Sequence, residues 1–211
     1  TTTTRYKADD VNPALSLMYK PVTNVSVYTS YLEGLEESGQ APSNRANAGE
    51  LLAPALSKQK EIGVKAEVAQ GVLLQVAYFD IKRSSTTVDS ANRFTLNGLA
   101  QYKGLEMAAS GEVTKQLSLI ASALFLDAQQ LDAANAATYG KVPDNTPERT
   151  ASLFGEYRLL SVSGLALSGG VYYVGKRPVN NANQAFVDGY TTLSLGARHA
   201  TTRIAGKRTT I

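Results

Sequence analysis

The sequence predicts an all-β protein: an antiparallel transmembrane β-barrel, of which about ten strands are present. Three observations carry that prediction. Apolar and polar residues alternate with a period of two through most of the chain, as they do where one face of a sheet meets lipid and the other meets water. The connections alternate too, about three to five residues, then about a dozen or more, then short again, which puts short turns at one end and long loops at the other. No apolar run approaches the roughly 20 residues of a membrane-crossing helix, whereas a barrel strand shows lipid only every second side chain.

After a polar stretch (Thr1 to Val11), Pro13 to Lys20 alternates, with Leu15, Leu17 and Tyr19 opposed by Ala14, Ser16 and Met18. The turn Lys20 to Asn24 leads into Val25 to Leu32, where Val25, Val27, Thr29 and Tyr31 oppose Ser26, Tyr28 and Ser30. Gly34 to Leu56 reads as a long loop, and Ser57 to Val68 has the cleanest alternation: Ile62, Val64, Ala66 and Val68 against Gln59, Glu61, Gly63, Lys65 and Glu67. Across the short turn Ala69 to Gly71 comes Val72 to Arg83, whose facing is ambiguous because Gln75 and Asp80 have opposite parity. A second loop is expected through Asn97, from its serines, threonines, Asp89 and Asn92. Gly98 to Val113 then places Leu99, Leu105, Met107 and Ala109 opposite Tyr102, Gly104, Glu106 and Ser110.

The turn Thr114 to Gln116 precedes Leu117 to Ala128, a third loop (Gln129 to Thr146) and the strand Pro147 to Arg158. Leu159 to Ser163 turns the chain into Gly164 to Gly175, and a fourth loop, Lys176 to Asp188, holds Pro178 and three asparagines. Gly189 to Arg203 and a turn at Ala205 to Lys207 close the sequence, the last strand being only partial. Ten such strands could close, but a partial last strand would leave an unpaired edge in lipid. No signal-peptide pattern begins at Thr1. The expectation is a partial barrel domain over residues 1–211.

Composition excludes several classes. With 21 Lys and Arg, 18 Asp and Glu and a net charge of +3, there is no single-sign field of the kind nucleic acid recognition needs. Absence of cysteine removes disulfide frameworks and thiolate metal sites. One histidine, no phosphate-cradling Gly-rich loop and no His/Glu cluster at ligand spacing leave no catalytic constellation, and the chain reads as a non-enzyme. His199, on the parity of Leu193 and Leu195 near the short-turn end, reads as an interface histidine in preference to a metal ligand.

Several words in the chain carry a resemblance. They are N-x-GE-x-L-x-P followed by S-x-Q-x-E-x-G-x-K (Asn47 to Lys65), Y-K-P-x-x-x-x-S-V-Y-x-S-Y (Tyr19 to Tyr31), A-x-F-D-I-K (Ala77 to Lys82), Y-K-G-L-E (Tyr102 to Glu106), a Gly-Lys to Pro element at Gly140 to Pro147, and G-Y-x-x-L-x-L-G-A-R (Gly189 to Arg198). In order and spacing they resemble TonB-dependent siderophore receptors of the Gram-negative cell outer membrane. The resemblance implies a barrel of 22 strands around an N-terminal plug, these ten being the twelfth to the twenty-first. The plug, the first half of the barrel, the coupling box and the closing strand would lie outside residues 1–211.

It further implies import of a ferric siderophore driven by the TonB complex of the inner membrane, with iron carried as a pre-formed chelate and no cofactor. Partners would include outer-membrane lipid and lipopolysaccharide, and no nucleic acid. Such a site needs aromatic and hydrogen-bonding groups near the long-loop ends. The candidates are Tyr31, Arg83, Arg93, Phe94, Tyr139, Tyr172, Arg177 and Phe186. Tyrosines at strand ends also build an aromatic girdle, and basic pairs such as Lys82–Arg83 and Lys176–Arg177 suit a solvated strand end, an anionic chelate or a lipopolysaccharide phosphate. Glu61, Lys65, Glu67 and Glu106 would face inward, toward a plug. Import of haem, cobalamin or an oligosaccharide, a passive porin-like barrel and a secreted β-sandwich stay open as alternatives.

Overall fold

Two-residue alternation over so much of the chain leaves it one way to bury its backbone: strand beside strand. The computed structural model describes residues 11–132, 136–204 and 207–210, with side chains described as far as residue 200. The polar start of the chain, part of the third loop (133–135) and the expected turn at 205–206 lie outside the described residues. The strands are β1 (Ala14–Val22), β2 (Val25–Glu36), β3 (Ala55–Ala69), β4 (Val72–Val88), β5 (Phe94–Glu112), β6 (Leu117–Gln130), β7 (Arg149–Arg158), β8 (Leu165–Val174), β9 (Arg177–Pro178), β10 (Phe186–Val187), β11 (Tyr190–Ile204) and β12 (Lys207–Thr210). Ten form one antiparallel sheet in chain order, β1 through β8 and then β11 and β12; β9 and β10 make a separate small hairpin.

The register carries each parity across the sheet. Thr29, Ile62, Tyr78, Leu105 and Phe125 face one another in one row, and Val27, Val64, Val76, Met107, Ala123 and Ala151 in the next. This face holds the large exposed apolar side chains, with Leu193 and Leu195 at 79% and 92% exposure, uncovered by any protein layer. An apolar sheet face of this extent is what lipid covers. The opposite face carries the polar parity and the small buried residues Ala55, Ala77, Ala100 and Ala128. The ambiguous strand resolves accordingly: Leu74, Val76 and Tyr78 share the lipid face, and Gln75, Ala77 and Phe79 the inner one.

The second loop corrects the sequence expectation. β4 continues to Val88 and β5 begins at Phe94, so the connection shrinks to residues 89–93. Val88 and Phe94, and Thr87 and Thr95, pair across the ladder because β-branched and aromatic residues favour continued pairing. Asp89 closes the turn, its Oδ1 accepting hydrogen bonds from the backbone N–H groups of Ala91 and Arg93, both at 2.9 Å. Asn92 supplies the left-handed φ of 57° that the tight turn needs. β2 likewise extends to Glu36, and the fourth loop contains the β9–β10 hairpin.

Two motif glycines have a packing reason. A Cβ at Gly63 would lie 2.6 Å from the Tyr28 ring, and one at Gly104 would lie 2.6 Å from the Phe79 ring and 2.8 Å from the Phe125 carbonyl oxygen. On the inner wall an aromatic of the preceding strand thus lies flat over a glycine of the next, in both cases at the glycine of a motif.

Gly104→Ala is therefore expected to destabilise the folded full-length barrel by about 1–3 kcal/mol, the usual cost of overpacking. Gly34→Ala, whose Cβ would meet nothing within 4 Å, is expected to be near neutral. Urea unfolding of the protein in lipid vesicles distinguishes them, and equal midpoints would contradict the packing account.

Candidate functional site

Above the apolar band, the inner-face parity runs on into the loop region and encloses a cavity of about 270 Å³. Its wall comes from the upper ends of β2 to β6 and its rim from the third and fourth loops. Arg83 is central: its Nη1 lies 3.1 Å from Glu36 Oε2, and its guanidinium carbon stands 5.8 Å from the centre of the Tyr102 ring. Arg and Tyr on adjacent strands thus present a cation, an aromatic face and a phenol to one space. Ser38, which also lines it, has a buried hydroxyl with no hydrogen-bond partner.

The loops at the rim are stitched by amides. Gln130, only 9% exposed, donates from Nε2 to the Asn181 carbonyl at 2.8 Å. Asn183 accepts from the Val142 N–H at 3.0 Å and donates back to the Val142 carbonyl at 2.7 Å. The Asp144 N–H donates to Asn181 Oδ1 at 2.9 Å, and the Asn145 N–H to the Pro178 carbonyl at 2.8 Å. On the other side Asn47 exchanges both hydrogen bonds with the Phe94 backbone, at 2.9 and 2.8 Å. Asn145 and Asn183 adopt left-handed φ values of 53° and 55°, a region Asn tolerates better than most residues.

Lower on the inner wall a polar network occupies the barrel interior. The Tyr28 hydroxyl donates to Glu61 Oε1 at 2.6 Å, Gln59 Nε2 donates to Glu61 Oε2 at 3.0 Å, and Lys65 Nζ lies 5.2 Å from the Tyr28 ring centre. Near the short turns, Arg198 Nη2 pairs with Glu156 Oε1 at 2.7 Å, Arg158 pairs with Glu112, and His199 Nε2 lies 3.2 Å from the Ser163 carbonyl. Among the described residues no group of three His, Cys, Asp or Glu side chains could hold a metal ion.

Of the sequence-predicted candidates, Arg83 lines the cavity. Tyr172 lies on the inner parity further round, in register with Ser152 and Thr192. Tyr31 shares the outward face with Leu15 and Lys60 and donates to Glu33. Arg93 pairs with Glu50 at 2.8 Å, and Phe94 is bound through its backbone to Asn47, so both sit where the first loop meets the β4–β5 turn. Tyr139 is exposed in the third loop. Arg177 and Phe186 both lie on the β9–β10 hairpin, paired with Val187 and Pro178 respectively, the first 5.4 Å from the Tyr190 ring centre, the second beneath Lys176 Nζ at 4.4 Å. Glu36, Ser38, Tyr102, Gln130, Asp144 and Asn181, all lining the cavity, were not among the candidates. The parity of Tyr102 was legible; the loop residues gave no periodic signal.

An open amphipathic sheet, apolar outside and polar inside, with short turns at one end and stitched loops at the other, defines a transmembrane β-barrel of the outer-membrane type. Residues 1–208 match the family described as TonB dependent receptor-like, beta-barrel, and the chain belongs to that family. Among curated relatives, the ferrichrome receptor FcuA of Yersinia enterocolitica is 33% identical over 90% of this chain and 26% of its own length. The ferrichrome outer membrane transporter and phage receptor of Escherichia coli K12 is 28% identical over 85% of this chain and 24% of its own length. The crystal structure of BauA, the ferric preacinetobactin receptor of Acinetobacter baumannii, superposes with a TM-score of 0.75 at 28% identity, covering 90% of this chain and 29% of that one. The chain thus spans about a quarter of the length of the curated relatives it matches.

Asn183→Ala removes three hydrogen bonds and places a Cβ residue without a compensating amide at positive φ. Hydrogen exchange on the full-length protein is expected to show faster exchange at the Val142 amide, which loses its acceptor, with the strands of the sheet unchanged. Unaltered exchange at Val142 would show that the loops are held together by something else.

Proposed function

We propose that the full-length protein binds a ferric siderophore at its outer mouth and imports it across the outer membrane, driven by the TonB complex of the inner membrane. The observation that carries this reading is the cavity around Arg83 and Tyr102, at the outer end of the inner wall, in a chain whose relatives are named for ferrichrome and ferric preacinetobactin. A ferric chelate is a large polar body with its metal already coordinated. It needs no metal ligands from the protein, and iron is cargo, not a resident cofactor. What it needs are hydrogen-bond donors, aromatic faces and, for an anionic chelate, a cation. Arg83, Tyr102, Gln130 and the hydroxyls of Ser38, Ser84 and Ser85 answer to that list, with Tyr172, Arg177 and Phe186 as further contacts from the same end of the barrel.

In this reading the ten strands belong to a larger barrel of 22 strands closed around a plug, and Glu61, Lys65, Glu67 and Glu106 line the space the plug fills. The protein works as a ligand-gated transporter that makes and breaks no covalent bonds.

The direct test is uptake of radiolabelled ferric siderophores by iron-starved cells with and without the full-length gene, repeated after collapse of the inner-membrane proton gradient. Gene-dependent uptake abolished with the gradient is expected; unchanged uptake across hydroxamate and catecholate chelates would overturn the proposal. Arg83→Ala and Tyr102→Ala are each expected to weaken binding of the transported chelate about tenfold, or about 1.4 kcal/mol. Fluorescence titration of purified full-length variants measures it.

A further inference from the structure

Among the described residues Arg83 is the only cation lining the cavity, and a carboxylate already answers it. Ser57, Arg83, Ala100 and Gln130 share a row across β3, β4, β5 and β6, and Glu36 stands one row higher, opposite Ala55 on β3. Ala55 is buried, and its methyl is small enough for the Arg83 side chain to cross β3 and reach Glu36 at 3.1 Å. The same guanidinium stands 5.8 Å from the Tyr102 ring centre, so it is held between a carboxylate and an aromatic face.

The rest of the wall adds charge of one sign. Glu37 and Asp144 also line the cavity, and among the described residues neither forms an ion pair with a cation. An adjoining cavity of about 200 Å³, which shares Ser85, Thr86, Gln130 and Asn181 with the first, adds Asp132 and no basic side chain among the described residues. Lys141, Lys176 and Arg177, the basic residues of the third and fourth loops, line neither cavity. At the first loop and the β4–β5 turn, Arg45 is engaged by Asn92 and Arg93 by Glu50, both at 2.8 Å. The space around Arg83 and Tyr102 is therefore acidic on balance, and a concave wall of one sign concentrates its field in the space it encloses.

We infer that this wall selects the chelate by charge: Glu36, Glu37 and Asp144 admit a ferric chelate of zero or positive net charge and reject an anionic one. Glu36 is the specificity-determining residue, because it cancels the charge that Arg83 would otherwise offer an anion while leaving other guanidinium N–H groups to donate. Glu37 and Asp144 then meet an incoming anion with like charge, which weakens binding and slows encounter. A neutral chelate meets the same space as a set of donors and an aromatic face, and a basic group on its edge has two open carboxylates to pair with. Ser38, whose buried hydroxyl has no partner, supplies one donor more. The inference rests on the siderophore reading and narrows it to one charge class.

The test is calorimetric titration of purified full-length protein with a panel of ferric chelates matched in size, neutral tris-hydroxamates and trianionic tris-catecholates. The best neutral chelate is expected to bind at least about tenfold more tightly than the best anionic one, and molar salt to narrow the gap. The variant E36Q/E37Q/D144N, which removes charge and keeps side-chain size, is expected to gain about tenfold in affinity for the tris-catecholates. Glu112→Gln, near the short turns at the opposite end, is the control that leaves the gap as it was. Should the triple variant fail to fold, Glu37→Gln and Asp144→Asn are read singly, each with part of the gain. Equal or tighter binding of a tris-catecholate by the unaltered protein would overturn the inference and leave the siderophore reading standing. A preference that survives unchanged in the folded carboxylate variants would overturn it as well, by placing the selectivity elsewhere. Binding of no chelate in the panel would overturn the siderophore reading, and this inference with it.

Discussion

A backbone polar group in hydrocarbon has no water to bond, and an unpaired one costs several kcal/mol. The rest of this structure depends on that constraint. The ten-stranded sheet answers it by pairing each strand with its sequence neighbour, so that every interior strand has a partner on both sides. Among the described residues no second layer packs on it and no large side chain is fully buried. Lipid covers one face, the barrel interior covers the other, and the ladder holds the strands together.

Within a single layer, side-chain packing is lateral. Tyr28 over Gly63 and Phe79 over Gly104 replace the interdigitation that a second sheet would provide. The same two strands, β3 and β5, carry Glu61 and Glu106 on the inner parity, so the glycine and acidic positions of two sequence motifs describe one stretch of inner wall. The Tyr28–Glu61–Gln59 hydrogen bonds give that wall a fixed polar surface instead of a set of independent solvated side chains.

At the outer end the architecture changes, because above the membrane water can satisfy the backbone and irregular structure becomes tolerable. There the chain uses asparagine and glutamine amides, which donate and accept at once, to tie separate loops together. Asn183 on Val142, Asn181 on Asp144 and Gln130 on Asn181 hold the third and fourth loops as one rim, and Asn47 on Phe94 holds the first loop to the β4–β5 turn. That rim shapes the cavity around Arg83 and Tyr102. Outside, the same height on the barrel is marked by the row of Lys60, Asp80, Lys103 and Asp127.

Fold class, facing and strand order were determined by the sequence alone, because period-two alternation states which side chains share a face, and alternating connection lengths state which end a turn occupies. Leu193 and Leu195 outward, and Glu61 and Glu106 inward, follow from parity without coordinates. Where the facing was ambiguous, in Val72 to Arg83, only the register with the neighbouring strands settled it, since Asp80 sits on the lipid-facing parity as part of the interface row and not as an error of alternation. The length of β4 and β5 above the membrane was likewise decided by cross-strand pairing, which serine and threonine composition disguises as loop. Most of the cavity belonged to tertiary structure: Glu36, Gln130, Asp144 and Asn181 are far apart in sequence, have no periodicity to betray them, and meet only because the sheet and its stitched loops bring three connections to one mouth.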